Sequence, residues 1–161
     1  MFVHSFRARV GYSVFLALAQ FSLAQVNSPL AGSWDFRLKQ SSSLTISGLA
    51  TFTSDGSMVE TDSSEVVPGR IAADTFATPG HGIWQPGPAI GNLFVRFTSL
   101  AVNLNGSLHA KRVCTMTIRL NVSGDQFRGA YTCQLVDPTG HAIGFDSGTV
   151  AGTRMAHPAL P

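Results

Sequence analysis

Hydrophobic and polar residues alternate with a period of two along most of the chain beyond residue 30. From 33 to 39, Trp34, Phe36 and Leu38 fall on one side, with Asp35, Arg37 and Lys39 on the other. Such alternation marks a half-buried β-strand, because successive side chains leave opposite faces of the pleat. The clearest case is the pair of runs 112–121 and 126–136. There Cys114, Met116, Ile118 and Leu120 share one face, and one register sets them against Cys133, Tyr131, Gly129 and Phe127. A slip of one residue would turn every apolar side chain to water, so this register is strongly specified.

Further runs follow the same rule. Residues 44–53 place Leu44, Ile46, Ala50 and Phe52 on one face. Asp55-Gly56 then reads as a two-residue hairpin turn, which predicts Val59 opposite Phe52 and turns Glu60 and Asp62 outward. Residues 64–80 form one long irregular connection, and connections of that length are commonly functional. A short strand is expected at 81–85, then a long one at 92–103. Its apolar phase changes between Phe97 and Leu100, which predicts a bulge near Thr98-Ser99. Asn105-Gly106 leads into the strand ending at 121, and 141–155 supplies the last strand or two.

No stretch carries a sustained 3.6-residue apolar period. The expectation is an all-β domain of eight or nine strands joined in sequence order. Such a meander tends to close into an antiparallel up-and-down barrel of about eight strands, because closure removes exposed edges.

The first 24 residues do not fit this pattern. Arg7 and Arg9 precede a mostly apolar run over 10–21, and Ser22-Leu23-Ala24 ends it with small residues. That is the order of a cleaved export signal, leaving 25–161 as one domain in a secreted or periplasmic setting. The full chain has 11 Lys+Arg against 9 Asp+Glu, and removing Arg7 and Arg9 brings the balance to zero. Without a basic excess a phosphate-tracking surface is unsupported, so no nucleic-acid partner is expected. The mature chain is expected to be a monomer without a membrane span.

The two cysteines stand opposite each other in the hairpin register. In an exported chain this favours a Cys114–Cys133 disulfide with a structural role. His81, between Gly80 and Gly82, is the candidate general base or ligand anchor. His109, His141 and His157 share no metal-ligand spacing, and no cofactor is called for. Phe52, Trp84, Phe97, Phe127, Tyr131 and Phe145 are expected to face inward. They either fill the barrel or line a cavity for an apolar small molecule, with Gly129 opposite Ile118 leaving room.

Gly32-Ser33-Trp34 at the start of the domain and Arg154 near its end resemble the lipocalin and wider calycin barrels. The resemblance implies that Trp34 packs across one end of the barrel with Arg154 lying on it. The chain lacks the Thr-Asp-Tyr motif of lipocalins. Asp55-Gly56-Ser57, Val59–Ser63 and Pro79–Trp84 are similar to stretches of small exported bacterial proteins of unassigned activity. The functional expectation is a barrel that binds a hydrophobic or amphipathic small molecule in its interior. Two alternatives stand beside it. One is a barrel enzyme similar to allene oxide cyclases, using His81, Glu60 or Tyr131; the other is a cell-surface interaction module with a filled core.

Overall fold

The computed structural model describes residues 28–156 apart from 68, 70, 88 and 90. The export signal expected over 1–24, and His157, lie outside the described residues. Nine strands follow in order: β1 (Gly32–Gln40), β2 (Thr45–Phe52), β3 (Ser57–Asp62), β4 (Thr75–Ala77), β5 (Gly80–Pro86), β6 (Asn92–Asn103), β7 (Leu108–Leu120), β8 (Gln126–Val136) and β9 (Ala142–Arg154). Among the described residues no helix is long and apolar enough to cross a membrane.

Every pairing is antiparallel, and β1 pairs with β9 while β6 pairs with β7. The ring therefore closes through β1, β2, β3, β5, β6, β7, β8 and β9. Strand β4 stands beside this ring, pairing Thr75–Ala77 with the end of β6 beyond the reach of β5. The long connection is thus less irregular than its composition suggests: it holds β4 and a 3-10 turn over Ser63–Glu65.

The β7–β8 register is the one the alternation specifies: Cys114↔Cys133, Met116↔Tyr131, Ile118↔Gly129 and Leu120↔Phe127. A four-residue loop over 122–125, closed by Asn121 N donating to Gln126 O at 2.9 Å, sets it. The two cysteines form a disulfide inside the barrel, with Cα atoms 4.1 Å apart. Trp34, Phe36, Leu38, Ile46, Phe52, Met58, Val95, Phe97, Met116, Ile118, Phe127 and Tyr131 fill the inner face. Each such side chain contributes about 1.5–3 kcal/mol by leaving water.

Strand β3 corrects the sequence reading. Phe52 opposes Met58, and Val59 opposes Thr51 and faces out. The cause is loop length. Thr53 N donates to Ser57 O and Gly56 N donates to Thr53 O, so three residues lie between paired positions instead of two. Gly56 takes φ +93°, the left-handed conformation that lets such a turn end on glycine. One extra residue reverses the strand, sending Met58, Glu60 and Asp62 inward.

Two further corrections concern β6 and Gly129. The inward parity of Leu93, Val95 and Phe97 continues through Ser99 and Ala101, and Leu100 is left partly exposed. The register shifts only between Ala101 and Val102. Gly129 leaves no room beside Ile118, since a Cβ there would stand 2.0 Å from Thr117 O. Its missing side chain is taken up by the close approach of the neighbouring strand.

Candidate functional site

The barrel has two unlike ends. At one, residues 28–31 cross the opening and Leu30 is fully buried. Trp34 Nε1 donates to Leu30 O at 2.9 Å. Arg154 Cζ lies 4.3 Å from the Trp34 ring centroid, and its guanidinium donates to the carbonyls of Gly124, Ala31 and Pro29. Gly32 makes this possible: a Cβ on it would stand 2.7 Å from Arg154 Nη1. The cation over the indole and three satisfied carbonyls close this end.

Just inside it the barrel is packed. Phe36, Ala50, Phe52, Met58, Val95, Phe97, Met116 and Phe127 surround a space of about 10 Å³, roughly that needed for one water. Trp84 is buried and its indole N–H donates to Thr53 O at 2.9 Å.

The other end is polar and open. The 3-10 turn begins with a capping box at Asp62. Its Oδ1 accepts from Ser64 N at 2.8 Å and from Ser64 Oγ, while Glu65 Oε1 accepts from Asp62 N at 3.0 Å. The same carboxylate holds Arg112 across the barrel, Nη1 to Oδ2 at 2.8 Å, with both side chains buried. Asp62 is therefore at once a cap and a counter-ion. Arg112 also lies 5.9 Å from the centre of the Phe97 ring, while its Nη2 is buried without a partner.

Glu60 lies one inward step below Asp62 and is only 3% exposed. Burial, then the neighbouring Asp62 carboxylate, push its pKa up to about 8 against the opposing pull of Arg112. A carboxyl so placed is neutral at pH 7. Gly80 opposes it on β5, leaving Oε1 its space, while Oε2 has no partner. Ser99 Oγ, on the residue opposite Arg112, is likewise buried and unpartnered.

Above this polar row opens a recess of about 140 Å³, lined by Gln40, Ile46, Ile71, Arg112, Cys133, Leu135, Gly144, Phe145 and Asp146. Asp146 Oδ2 accepts from Tyr131 Oη at 2.8 Å and from Gln40 Nε2 at 3.0 Å. Burial first, then that hydrogen bond, raise the Tyr131 pKa, so the phenol stays protonated and serves to orient Asp146.

Of the residues singled out in the sequence, Phe52, Trp84, Phe97, Phe127 and Tyr131 do face inward. Phe145 does not. It opposes Gln134 on the outer parity of β9 and is 72% exposed, touching the recess only from its rim. His81 also faces out, paired with Val59 and Thr98, and is exposed. Its strand parity excludes it from the interior.

Arg112, Asp62 and Asp146 were not identified from the sequence. A signal existed for the first: Arg112 shares the parity of Cys114 and Met116, so an inward β7 face necessarily buries a guanidinium. Asp62 was hidden by the assumed turn length. Asp146 comes inward because Gly148, Val150 and Gly152 set the parity of β9.

No family model matches the chain, and neither does any curated protein. Among solved structures it is similar to EF1p2_mFAP2b bound to DFHBI, with 15% identity over 79% of this chain and 94% of that chain, at a TM-score of 0.45.

Proposed function

We propose that this chain is an exported barrel that binds a small amphipathic molecule at its open mouth. The observation that carries the reading is the recess itself: apolar walls from Ile46, Ile71 and Leu135 together with the polar side chains of Arg112, Gln40 and Asp146. Concave, mostly apolar sites with a few convergent polar groups are the usual form of small-molecule sites. The packed lower interior argues for the mouth rather than the barrel centre as the seat. The internal disulfide supports an oxidising compartment, in keeping with a signal at 1–24 removed from a 25–161 domain. The Gly32–Trp34–Arg154 closure supports kinship with small exported calycin-type proteins.

Native mass spectrometry of the protein purified from its own host tests the reading, combined with amide NMR mapping of any retained compound. Shifts at Leu135, Gly144 and Asp146 are expected, and they should vanish in Ile46→Trp, which fills the recess. Retained compound with shifts confined to other surfaces would reject the mouth as the site.

One observation favours a second reading, a proton-transferring barrel enzyme. A buried carboxyl with a pKa near neutrality is a common feature of acid–base sites. Only about 10 Å³ is open beside Glu60, so that reading requires a substrate group reaching down from the mouth. Activity abolished by Glu60→Gln while ligand retention persists would select it.

A further inference from the structure

The charges of this chain are almost balanced in number, 11 Lys+Arg against 9 Asp+Glu, but they are unevenly placed. Glu60 and Asp62 point into the barrel, Asp146 lines the mouth, and Asp55, Glu65, Asp74, Asp125 and Asp137 sit in turns. Among the described residues, Asp35 is then the one acid on the outer wall of the strands. Against it stand Arg37, Lys39, Arg96, Lys111, Arg119 and Arg128, all exposed. The acids serve the core and the turns, and the wall is basic.

Three of these arginines share one cross-strand row. Arg37 on β1 stands opposite Ala151 on β9, Ala151 opposite Arg128 on β8, and Arg128 opposite Arg119 on β7. Among the described residues none of the three makes a salt bridge. Like charges directly opposite each other disfavour strand pairing, so the Arg128–Arg119 pair is kept at a cost to the sheet. Ala151 is too short to fill the wall between Arg37 and Arg128. A shallow depression of about 350 Å³ runs there, bordered also by Asp35, Gln126 and Thr153.

Shape and chemistry decide what suits the row. Adjacent strands lie about 4.8 Å apart, so the row spans roughly 14 Å around a convex wall. A single small anion covers only part of it, and a flat bilayer does not follow its curve. A flexible chain with repeated charges does both. The outward neighbours of the row on β1, β8 and β9 are Asp35, Lys39, Gln126, Ala130, Thr149 and Thr153. They offer amide and hydroxyl groups but no aromatic ring on which a nucleobase could stack. Backbone N–H groups here are spent in the ladder and form no phosphate-type nest. Guanidinium forks remain, and these match planar carboxylates with two parallel N–H donors. We propose that the Arg37–Arg128–Arg119 row is a docking surface for an acidic polysaccharide, whose uronate carboxylates accept from the three guanidinium groups. Thr153 and Gln126 meet its hydroxyls. The surface is separate from the mouth and does not depend on the function proposed for it.

Four probes separate the alternatives: an oligogalacturonate, a dextran oligomer and an oligothymidylate of equal length, and phosphatidylglycerol vesicles. Each is titrated into the intact protein, with the Arg37, Arg128 and Ala151 amides reporting the site. Oligogalacturonate is expected to shift these amides, to bind at least tenfold more tightly than the other three, and to weaken steeply as salt is raised. Arg128→Thr should lower its affinity at least fivefold. Arg96→Thr removes a cation from the same wall away from the row, opposite Thr115, and should change affinity less than twofold. Both are exposed strand positions where threonine suits the pleat. Equal losses in the two variants would overturn the row as the site. Dextran binding as tightly as oligogalacturonate would overturn the role of charge. Equal or tighter binding by oligothymidylate or vesicles would overturn a polysaccharide as the partner, and oligogalacturonate leaving the three amides unmoved would overturn the proposal outright.

Discussion

Gly80 faces Glu60 across the β3–β5 ladder so closely that a Cβ on residue 80 would stand 2.2 Å from Glu60 Oε1 and 2.8 Å from the Phe97 ring. The glycine is the space in which the buried carboxyl sits. Gly80→Ala is expected to cost about 2 kcal/mol, the range of an overpacked core. In a Glu60→Ala background that cost should drop by at least half, because only the Phe97 contact remains. Urea midpoints of the four chains form the cycle, and equal costs in both backgrounds would contradict the relationship.

Stability should fall as pH rises from 5 to 9, because the folded chain keeps the Glu60 proton that the unfolded chain releases. The raised value of about 8 against 4.5 makes the native state bind more protons between those limits, so the slope is negative. The full loss is on the order of 5 kcal/mol from a shift of this size. Glu60→Gln keeps the shape of the neutral carboxyl and should remove this dependence. It should change stability little at pH 5 and raise it clearly at pH 9, as read from denaturation midpoints.

The disulfide links positions 19 residues apart. The loop it closes corresponds to about 3 kcal/mol of restricted unfolded-state freedom. The double variant Cys114→Ala/Cys133→Ala should lose roughly that much and keep the far-ultraviolet spectrum of the barrel, since the β7–β8 register is set independently by the 122–125 loop. A spectrum typical of an unfolded chain would show that the bond, rather than the pleat, specifies the pairing.

Arg154→Ala should destabilise the closed end by about 2–3 kcal/mol, combining the loss of the indole contact with three unmatched carbonyls. Arg154→Lys should recover less than half, because an ammonium cannot lie flat on Trp34 while reaching Gly124 and Pro29 together. Thermal melting with tryptophan emission as the probe measures both. Full recovery by lysine would mean that charge alone matters there.

How much of this was legible in the chain depends on loop length. The β7–β8 face could be read because a four-residue loop preserves parity and both strands alternate without interruption. The β2–β3 turn could not, because Asp-Gly is compatible with two-residue and three-residue loops, and these give opposite faces. Three residues separate the paired positions at Asn103–Ser107 and Asp137–His141 as well. The candidate site suffered most, since Glu60 and Asp62 owe their burial to that single additional residue. Phe145 illustrates a different limit. Hydrophobicity suggested an inward ring, but glycines at 144, 148 and 152 place the inner parity of β9 on residues too small to advertise it. Arg112 was readable in principle, and its charge concealed it.

The position of β4 carries a last consequence. Eight strands complete the hydrogen-bonded ring without it, and among the described residues its ladder is with the far end of β6. Detaching Thr75–Ala77 would therefore sacrifice a few peptide bonds' protection without opening a seam in the cylinder. Amide exchange there should proceed at a lower free-energy cost than in β7 or β8, giving the polar rim a way to breathe while the staves below stay locked.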